Sequence, residues 1–274
     1  MNTQQIEIQA ALHIGGPLLR TGGAGGRRYE LTHLPGSPSV PSVTNLVDSV
    51  MRNYGLERWR SDWIERGLKA NIGTELTDET VLAVMAASGK EAAESAALGL
   101  RVHGLIEKSL RGKLPNWPDD LEPALRAFTR WREAHAEWFH MESEVGVWTA
   151  EFAGTVDALF CSADGNEILV VDWKTGGIYD SACMQLGAYC HALSTMLANS
   201  NNTTVNPGTK IHGQIVRICA EYPQVNGQRD RTQAKRFNGQ IEYVWVDPAQ
   251  WYPVFDAARR LSVGKKIKIR KETL

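Results

Sequence analysis

Residues 154–176 read GTVDALFCSADGNEILVVDWKTG, and the placement of three charges in that stretch decides the fold. Asp157 stands inside one apolar run. Asp172 and Lys174 close a second, behind Ile168-Leu169-Val170-Val171. Side chains alternate along a strand, so Asp172 and Lys174 point to one face and Trp173 to the other. Ala163-Asp164-Gly165-Asn166 supplies turn chemistry between the runs and predicts a hairpin that brings Asp157 beside Asp172. A carboxylate that continues a buried apolar run is unfavourable unless something pairs it. The partner of Asp172 is either Lys174 alone, as an ion pair at a strand end, or a cation shared with Asp157. Two carboxylates and an ammonium on one sheet face suit a divalent cation and a water held for attack.

The downstream segment favours the second reading. Thr175-Gly176-Gly177 breaks the strand, and a helical run follows from about Ser181 to Leu197. Gln185 and Tyr189 are four residues apart and share one face of it. Gly-Thr-Val-Asp157, then Val-Asp172-Trp-Lys174-Thr, then Gln185-x-x-x-Tyr189 resembles the RecB-type branch of the PD-(D/E)XK nuclease superfamily. Phage recombination exonucleases, the mitochondrial genome maintenance exonuclease and the CRISPR-associated iron–sulfur nucleases belong to that branch. The resemblance spans roughly residues 40 to 200. Pro41-Ser42-Val43-Thr44 is similar to the entry segment of phage-type members. Gly99-Leu-Arg-Val-His103-Gly-Leu-Ile-Glu107 is similar to the helix that carries a metal-binding histidine. Glu144 matches the acid of the first core strand, with Glu142 as the alternative two residues away.

The resemblance implies an α/β fold: a mixed sheet flanked by helices in the order αβββαβ, with N-terminal helical additions. It implies Asp157, Asp172, Lys174, Glu144, Gln185 and Tyr189 as the catalytic set. It implies Asp157, Asp172, Glu144, His103 and the backbone carbonyl of Trp173 as ligands of Mg²⁺ or Mn²⁺, a histidine ligand making Mn²⁺ plausible. Gln185 and Tyr189 position the substrate backbone or brace the site. The implied activity is exonucleolytic hydrolysis of linear DNA, single- or double-stranded, in phage or bacterial recombination, repair or processing. A single-strand annealing or recombination partner and a homo-oligomer fit the same branch. Two rivals stand beside it: an endonuclease of the same fold, and a catalytically silent member that binds DNA or protein.

Composition sets further bounds. Hydrophobic residues make up 43% of the 274, enough for a sizeable core. There is no apolar run of about 18 residues, so no membrane span is expected. Met-Asn-Thr-Gln-Gln-Ile-Glu lacks the pattern of a secretory signal, which makes the cytoplasm the expected location. Cys161, Cys183, Cys190 and Cys219 form no Cys-x-x-Cys pair, which argues against zinc. None precedes the core or clusters near the C-terminus, so no iron–sulfur cluster is expected and the thiols read as buried and reduced. The net charge of −1 removes long-range steering as an argument for a nucleic-acid partner. Positive charge is local, in Arg229, Arg231, Lys235 and Arg236, and in Arg259, Arg260, Lys265, Lys266, Lys268, Arg270 and Lys271. Either cluster reads equally well as a solvated segment.

Along the chain, residues 1–40 form a glycine-rich segment or hairpin. Gly15, Gly16, Gly22, Gly23, Gly25 and Gly26 are not followed by Lys-Ser or Lys-Thr, so no phosphate loop and no ATP are expected. Residues 41–274 read as one nuclease domain: a helical part at 41–140, the catalytic core at 141–247 and a basic C-terminal helix at 248–274. Within it, 42–70 predicts a helix capped by Ser42 or Thr44, with Leu46, Val50, Trp59 and Trp63 on its apolar face. Residues 77–112 predict two helices broken at Gly89, the second carrying Ala92, Ala96 and Gly99 ahead of His103 at helical spacing. A helix over 121–139 carries Phe128, Trp131 and Trp138 as core. Strands are expected near 142–149, 153–161, 167–174, 210–221 and 240–246, and a last helix from Pro248.

Overall fold

The structure is a computed structural model that describes residues 18–22, 26–51, 54–113, 115–199, 208–226, 228–229 and 235–264. Its centre is a five-stranded mixed sheet. β4 (Phe139–Trp148), β5 (Ala153–Cys161) and β6 (Glu167–Lys174) form an antiparallel meander; β7 (Lys210–Glu221) lies parallel to β6, and β10 (Arg236–Val246) closes the far edge antiparallel to β7. The β5–β6 turn forms where expected. Asp164 accepts hydrogen bonds from Ser162, from the Asn166 backbone and from the Asn166 side chain, and Gly165 takes φ 76°. A parallel neighbour needs a crossover, and α5 (Asp180–Asn199) supplies it between β6 and β7.

Helices bury the sheet. α5 is apolar nearly all round, with Met184, Leu186, Ala188, Ala192 and Leu193 at or near zero exposure. α1 (Val43–Val50) and α6 (Pro248–Gly264) join α5 in one core through Val43, Leu46, Val47 and Phe255. α4 (Glu122–Ala134) contributes Phe128 and Trp131, which meet Trp173 edge-on at ring-centroid distances of 5.8 and 4.9 Å. Trp138 is buried just beyond that helix. Beneath α4, Trp131 Nε1 donates to Gln214 Oε1 at 2.8 Å, and Gln214 Nε2 lies 3.1 Å from His135 Nε2. That satisfies the polar groups of a fully buried glutamine. A small sheet of β1 (Leu18–Thr21), β2 (Arg28–Leu31) and β3 (Ser39–Pro41) packs Tyr29, Leu31 and Val40 against Ala153 of β5. β8 (Gln224–Val225) and β9 (Gln228–Arg229) form a short ribbon. All four cysteines are buried, and none forms a disulfide.

The chain divides into two compact units: residues 52–104, and the remainder, 1–51 with 105–274. The first contains α2 (Tyr54–Ala70) and most of α3 (Asp78–Leu110), packed so closely that Gly67 has room for no side chain beside Val84.

Two helix expectations are corrected. The single helix over 42–70 is two, because Met51 takes an extended backbone (φ −86°, ψ 123°) that ends α1; Ser42 is its N-cap, accepting from Asn45 N. Conversely, α3 runs unbroken through Gly89. A glycine within a helix costs about 1 kcal/mol relative to alanine, which the flanking alanine-, glutamate- and lysine-rich turns absorb. The helix over 121–139 ends earlier, at Ala134, and β4 begins earlier, at Phe139. Of the basic C-terminal segment, the helix is described to Gly264; Lys265 to Lys271, like Arg231 and Gly15, Gly16, Gly23 and Gly25, lie outside the described residues. Among the described residues no helix is long and apolar enough to cross a membrane.

The continuity of α3 gives a direct prediction. Nothing lies within 4 Å of a Cβ built on Gly89. Gly89→Ala should therefore raise stability by roughly 0.5–1 kcal/mol, read as a higher denaturation midpoint with helical circular dichroism retained. A loss of helix signal would show that the backbone does break there.

Candidate active site

β5 and β6 pair from Cys161↔Ile168 to Ala158↔Val171, and there the ladder stops. Continuing the register by one step would set Asp157 directly opposite Asp172. Instead the strands part, and the Asp157 carboxylate enters the gap: its Oδ2 accepts a hydrogen bond from Trp173 N at 2.8 Å. In an extended strand a residue's N–H and C=O leave on the same edge, so the Trp173 carbonyl also faces this gap. Lys174 Nζ lies 2.6 Å from Asp172 Oδ2, with the Asp172 side chain 7% exposed and that of Lys174 28%. Trp173 points to the other face, into the aromatic contacts of α4. The alternation expected from the sequence is thus present, and the wedged indole fixes the two charges on either side of it.

The electrostatics follow from this crowding. Burial, and then the Asp172 carboxylate, push the Asp157 carboxyl well above the usual carboxylate range, against the pull of Lys174 and the Trp173 N–H. Burial alone would lower the Lys174 ammonium, but Asp172 and Asp157 outweigh it and raise its pKa. Lys174 therefore remains a cation at neutral pH and has donors, not a lone pair, to offer.

Glu144 stands level with Asp157, since its neighbours pair as Ser143↔Ala158 and Val145↔Val156. It holds φ 55°, in the left-handed region, beside a register shift between His140 and Glu142. Such a backbone is strained for a residue with a Cβ and persists only where its surroundings impose it. Arg111, at the end of α3, imposes it here. Its Nη1 pairs with Glu107 at 2.8 Å, while Nη2 donates to the Ser143 carbonyl at 3.1 Å and reaches Glu142 at 3.4 Å. Glu142 is engaged by Arg111 and the Ser143 N–H, whereas Glu144 is the acid level with Asp157. Glu144 is exposed, yet desolvation by its neighbours and the Glu107 carboxylate raise its pKa, with Arg111 and Arg20 opposing.

The Gln185–Tyr189 pair closes the site from α5. Gln185 Nε2 donates to the Tyr189 hydroxyl at 2.6 Å and lies 3.4 Å from Thr44 Oγ1. Tyr189 sits on Gly154: a Cβ there would come within 2.3 Å of Tyr189 Cε1, which is why glycine opens the Gly-Thr-Val-Asp segment. Burial drives the Tyr189 phenol upward, so it stays protonated. Tyr29 meets Thr155, two residues before Asp157, at 3.1 Å between hydroxyls. Burial, Asp180 and Asp172 raise the Cys183 thiol, which makes it a neutral neighbour of the site. His103 lies on α3 in the unit of residues 52–104, partly buried. Asp157, Asp172, Lys174 and the Trp173 carbonyl thus meet at the break between β5 and β6, Glu144 stands level with Asp157 on the neighbouring strand β4, and Gln185 and Tyr189 are hydrogen-bonded to each other on α5. The sequence did not signal Arg111, whose β4 partners are more than thirty residues downstream, or Tyr29.

An open sheet with an aspartate inside one strand, a second aspartate near the end of the next and a lysine two residues after it is the D…D-x-K pattern, and the profile of the PD-(D/E)XK nuclease superfamily matches residues 74–251. The chain belongs to that superfamily. Comparison with curated proteins finds no match. Superfamily membership makes nuclease chemistry, phosphodiester hydrolysis with DNA as the implied substrate, the coarse function. PD-(D/E)XK nucleases generally use divalent metals such as Mg²⁺. The residues present fit that ion. The Asp172 carboxylate raises the cost of ionising Asp157, and a divalent cation offsets that repulsion. Among the described residues no group of three or more His, Cys, Asp and Glu is gathered closely enough to hold a metal ion by itself. Mg²⁺ does not require one: it is commonly held by one or two carboxylates, waters and substrate phosphates.

The raised Asp157 pKa has a consequence for stability. A carboxyl whose pKa is higher folded than unfolded contributes no penalty below its unfolded pKa; the penalty grows as pH rises toward the folded value. Metal-free protein should therefore lose stability over that window. Asp157→Asn removes the penalty and keeps an oxygen for the Trp173 N–H. In EDTA at neutral pH its melting temperature should exceed that of the wild type, and Mg²⁺ should raise it less. A lower melting temperature in EDTA would mean that the carboxylate is a net stabiliser.

Proposed function

We propose that this protein is a metal-dependent deoxyribonuclease of the RecB-type branch, acting as an exonuclease on linear DNA, single- or double-stranded, in phage or bacterial recombination, repair or processing. The observation that carries the reading is the Asp157–Asp172–Lys174 constellation at the end of the β5–β6 ladder. The exonuclease side is supported by the Gln185–Tyr189 pair, which resembles the mark of that branch. A homo-oligomer and an annealing or recombination partner, a cytoplasmic location and one nuclease domain over 41–274 belong to the same proposal.

Asp157, Asp172 and the Trp173 carbonyl would hold Mg²⁺ or Mn²⁺, with Glu144 and His103 completing or extending the set. When bound, the ion supplies charge neutralisation at the phosphate oxygens and a more acidic water. Lys174, held as an ammonium, cannot take a proton from water. It donates hydrogen bonds, orienting the nucleophile and meeting the negative charge that develops on the phosphate. Asp172 fixes the ammonium at 2.6 Å, so little reorganisation is needed during reaction. Gln185 and Tyr189, neutral and hydrogen-bonded, brace the floor beside Gly154 or position the substrate backbone.

A nuclease assay on end-labelled linear DNA, both polarities and both strandedness states, tests the reading alongside closed circular single strands. Cleavage of the linear substrates in Mg²⁺ or Mn²⁺, abolished by EDTA, with the circle spared, is expected. Cleavage of the circle would make the enzyme an endonuclease; metal binding with no cleavage of any form would make it a silent member. Lys174→Ala should retain metal and DNA binding and lose on the order of 10²–10³ in cleavage rate, as removal of a single transition-state donor does. Asp172→Ala should lose metal binding together with activity. Near wild-type cleavage by Lys174→Ala would reduce Lys174 to an ion-pair partner.

A further inference from the structure

The β1–β2 hairpin supplies none of the proposed catalytic residues, yet it carries an electropositive cavity near them, since Arg20 acts on the Glu144 carboxylate. Arg20, Thr21, Gly22, Gly26 and Arg27 line this cavity, where β1 ends and β2 begins. The cavity's position is fixed from two sides. Arg20 pairs across the sheet with Tyr29, about 4.8 Å away in the hydrogen-bonding direction. Tyr29 in turn touches Thr155, two residues from Asp157. On the other side the Arg27 carbonyl accepts from Ser42 N at 3.1 Å and from Asn45 Nδ2 at 2.8 Å, which moors it to the start of α1. Gly26, at φ 87°, lies against that same Asn45 amide, where a Cβ would come within 2.2 Å. The cavity is therefore built onto the framework that positions Gly154 and Asp157.

Its arginines differ in availability. The Arg28 guanidinium is committed to Ser39, donating to Oγ at 2.9 Å and to the carbonyl at 2.7 Å. Among the described residues, those of Arg20 and Arg27 form no salt bridge; Glu144 and Asp48 feel them only as lesser influences behind burial. Two guanidinium groups beside a hydroxyl, in a concave site with two glycines, match a tetrahedral dianion or a phosphodiester. Next to a phosphodiester-cleaving centre, the anion that this geometry meets is the substrate's own backbone.

We propose that Arg20 and Arg27 hold a backbone phosphate of the DNA strand, away from the bond being cut, so that the β1–β2 hairpin clamps the strand entering the Asp157–Asp172 site. This rests on the nuclease reading for its substrate, but the binding claim has its own readout. Each phosphate neutralised on duplex DNA adds about 0.9 to the slope of log K against log salt, and about 0.7 on a single strand. Arg contacts to backbone position the strand without reading bases, so the effect should not depend on sequence.

The test is fluorescence anisotropy with a short labelled duplex and with its single strand, across a salt series, in EDTA so that no metal-dependent cleavage intervenes. Arg20→Gln/Arg27→Gln should weaken binding on the order of tenfold and flatten the salt slope by about one phosphate's worth. Lys210→Gln is the control, because Lys210 pairs with Glu167 seven residues, or about 23 Å, from the Lys174 end of the sheet. In cleavage assays the double variant should raise KM and leave kcat at saturating DNA within about twofold, since a uniformly made contact affects binding alone. Thermal melts matching wild type secure the comparison; should the pair melt early, Arg20→Gln alone, at an exposed side chain, carries it. Unchanged affinity and slope for both DNA forms would overturn the clamp, even if wild type cleaves DNA. A wild type that cleaves no DNA would instead overturn the nuclease reading, and the anisotropy would still judge the clamp.

Discussion

Two aspartates meet where a β-ladder ends, and the rest of the structure is arranged around that unfavourable contact. Asp157 and Asp172 would be cross-strand neighbours in a continuous hairpin. Like charges directly opposite one another destabilise a sheet. Here the strands separate instead, the Trp173 N–H turns to the Asp157 carboxylate, and Lys174 covers Asp172. The aromatic contacts of Trp173 with Phe128 and Trp131 keep the strand from relaxing. A folded state that tolerates this pair without a cation is less stable than it could be, and the deficit is available as affinity for the ion that relieves it.

The surrounding elements hold that break open from several directions. Tyr189 occupies the space that a side chain at residue 154 would need, and Gln185 ties its hydroxyl toward Thr44 of α1. Arg111 grips the β4 backbone at Ser143 and leaves the adjacent Glu144 in a left-handed conformation level with Asp157. Strain of this kind costs on the order of 1–3 kcal/mol and persists where the neighbouring structure over-determines it. The second large buried polar network, Trp131–Gln214–His135, lies on the α4 side and is fully hydrogen-bonded. Its role is to fix the packing of α4 under Trp173.

How much of this was legible in the sequence depended on how local each signal is. The hairpin, the facing of Asp172 and Lys174 and the opposite facing of Trp173 follow from period-two alternation and an Asp-Gly turn, both short-range. The Gln185–Tyr189 contact follows from helical spacing. Gly89 misled because glycine lowers helix propensity without forbidding a helix. The end of α1 at Met51 is a change of backbone conformation that leaves no composition signal. The choice between Glu142 and Glu144 could not be made from sequence. It turns on a register shift in β4 and on Arg111, a partner brought in by tertiary folding. The positions of Arg20 and Arg27 beside the site depend on the Tyr29–Thr155 contact, between residues 126 apart in the chain.

The central claim is that Asp157 and Asp172 together would seat a divalent cation, with burial and the Asp172 carboxylate holding the Asp157 carboxyl above the usual carboxylate range. Isothermal titration of Mg²⁺ into metal-free protein, in buffers of different ionisation enthalpy at one near-neutral pH, measures it directly. Binding should release protons, the release should fall as pH is raised, and Asp157→Asn should abolish it. Tight Mg²⁺ binding with no buffer dependence would show that the Asp157 carboxyl is already ionised, and Mg²⁺ that does not bind the site at all would contradict the account as a whole.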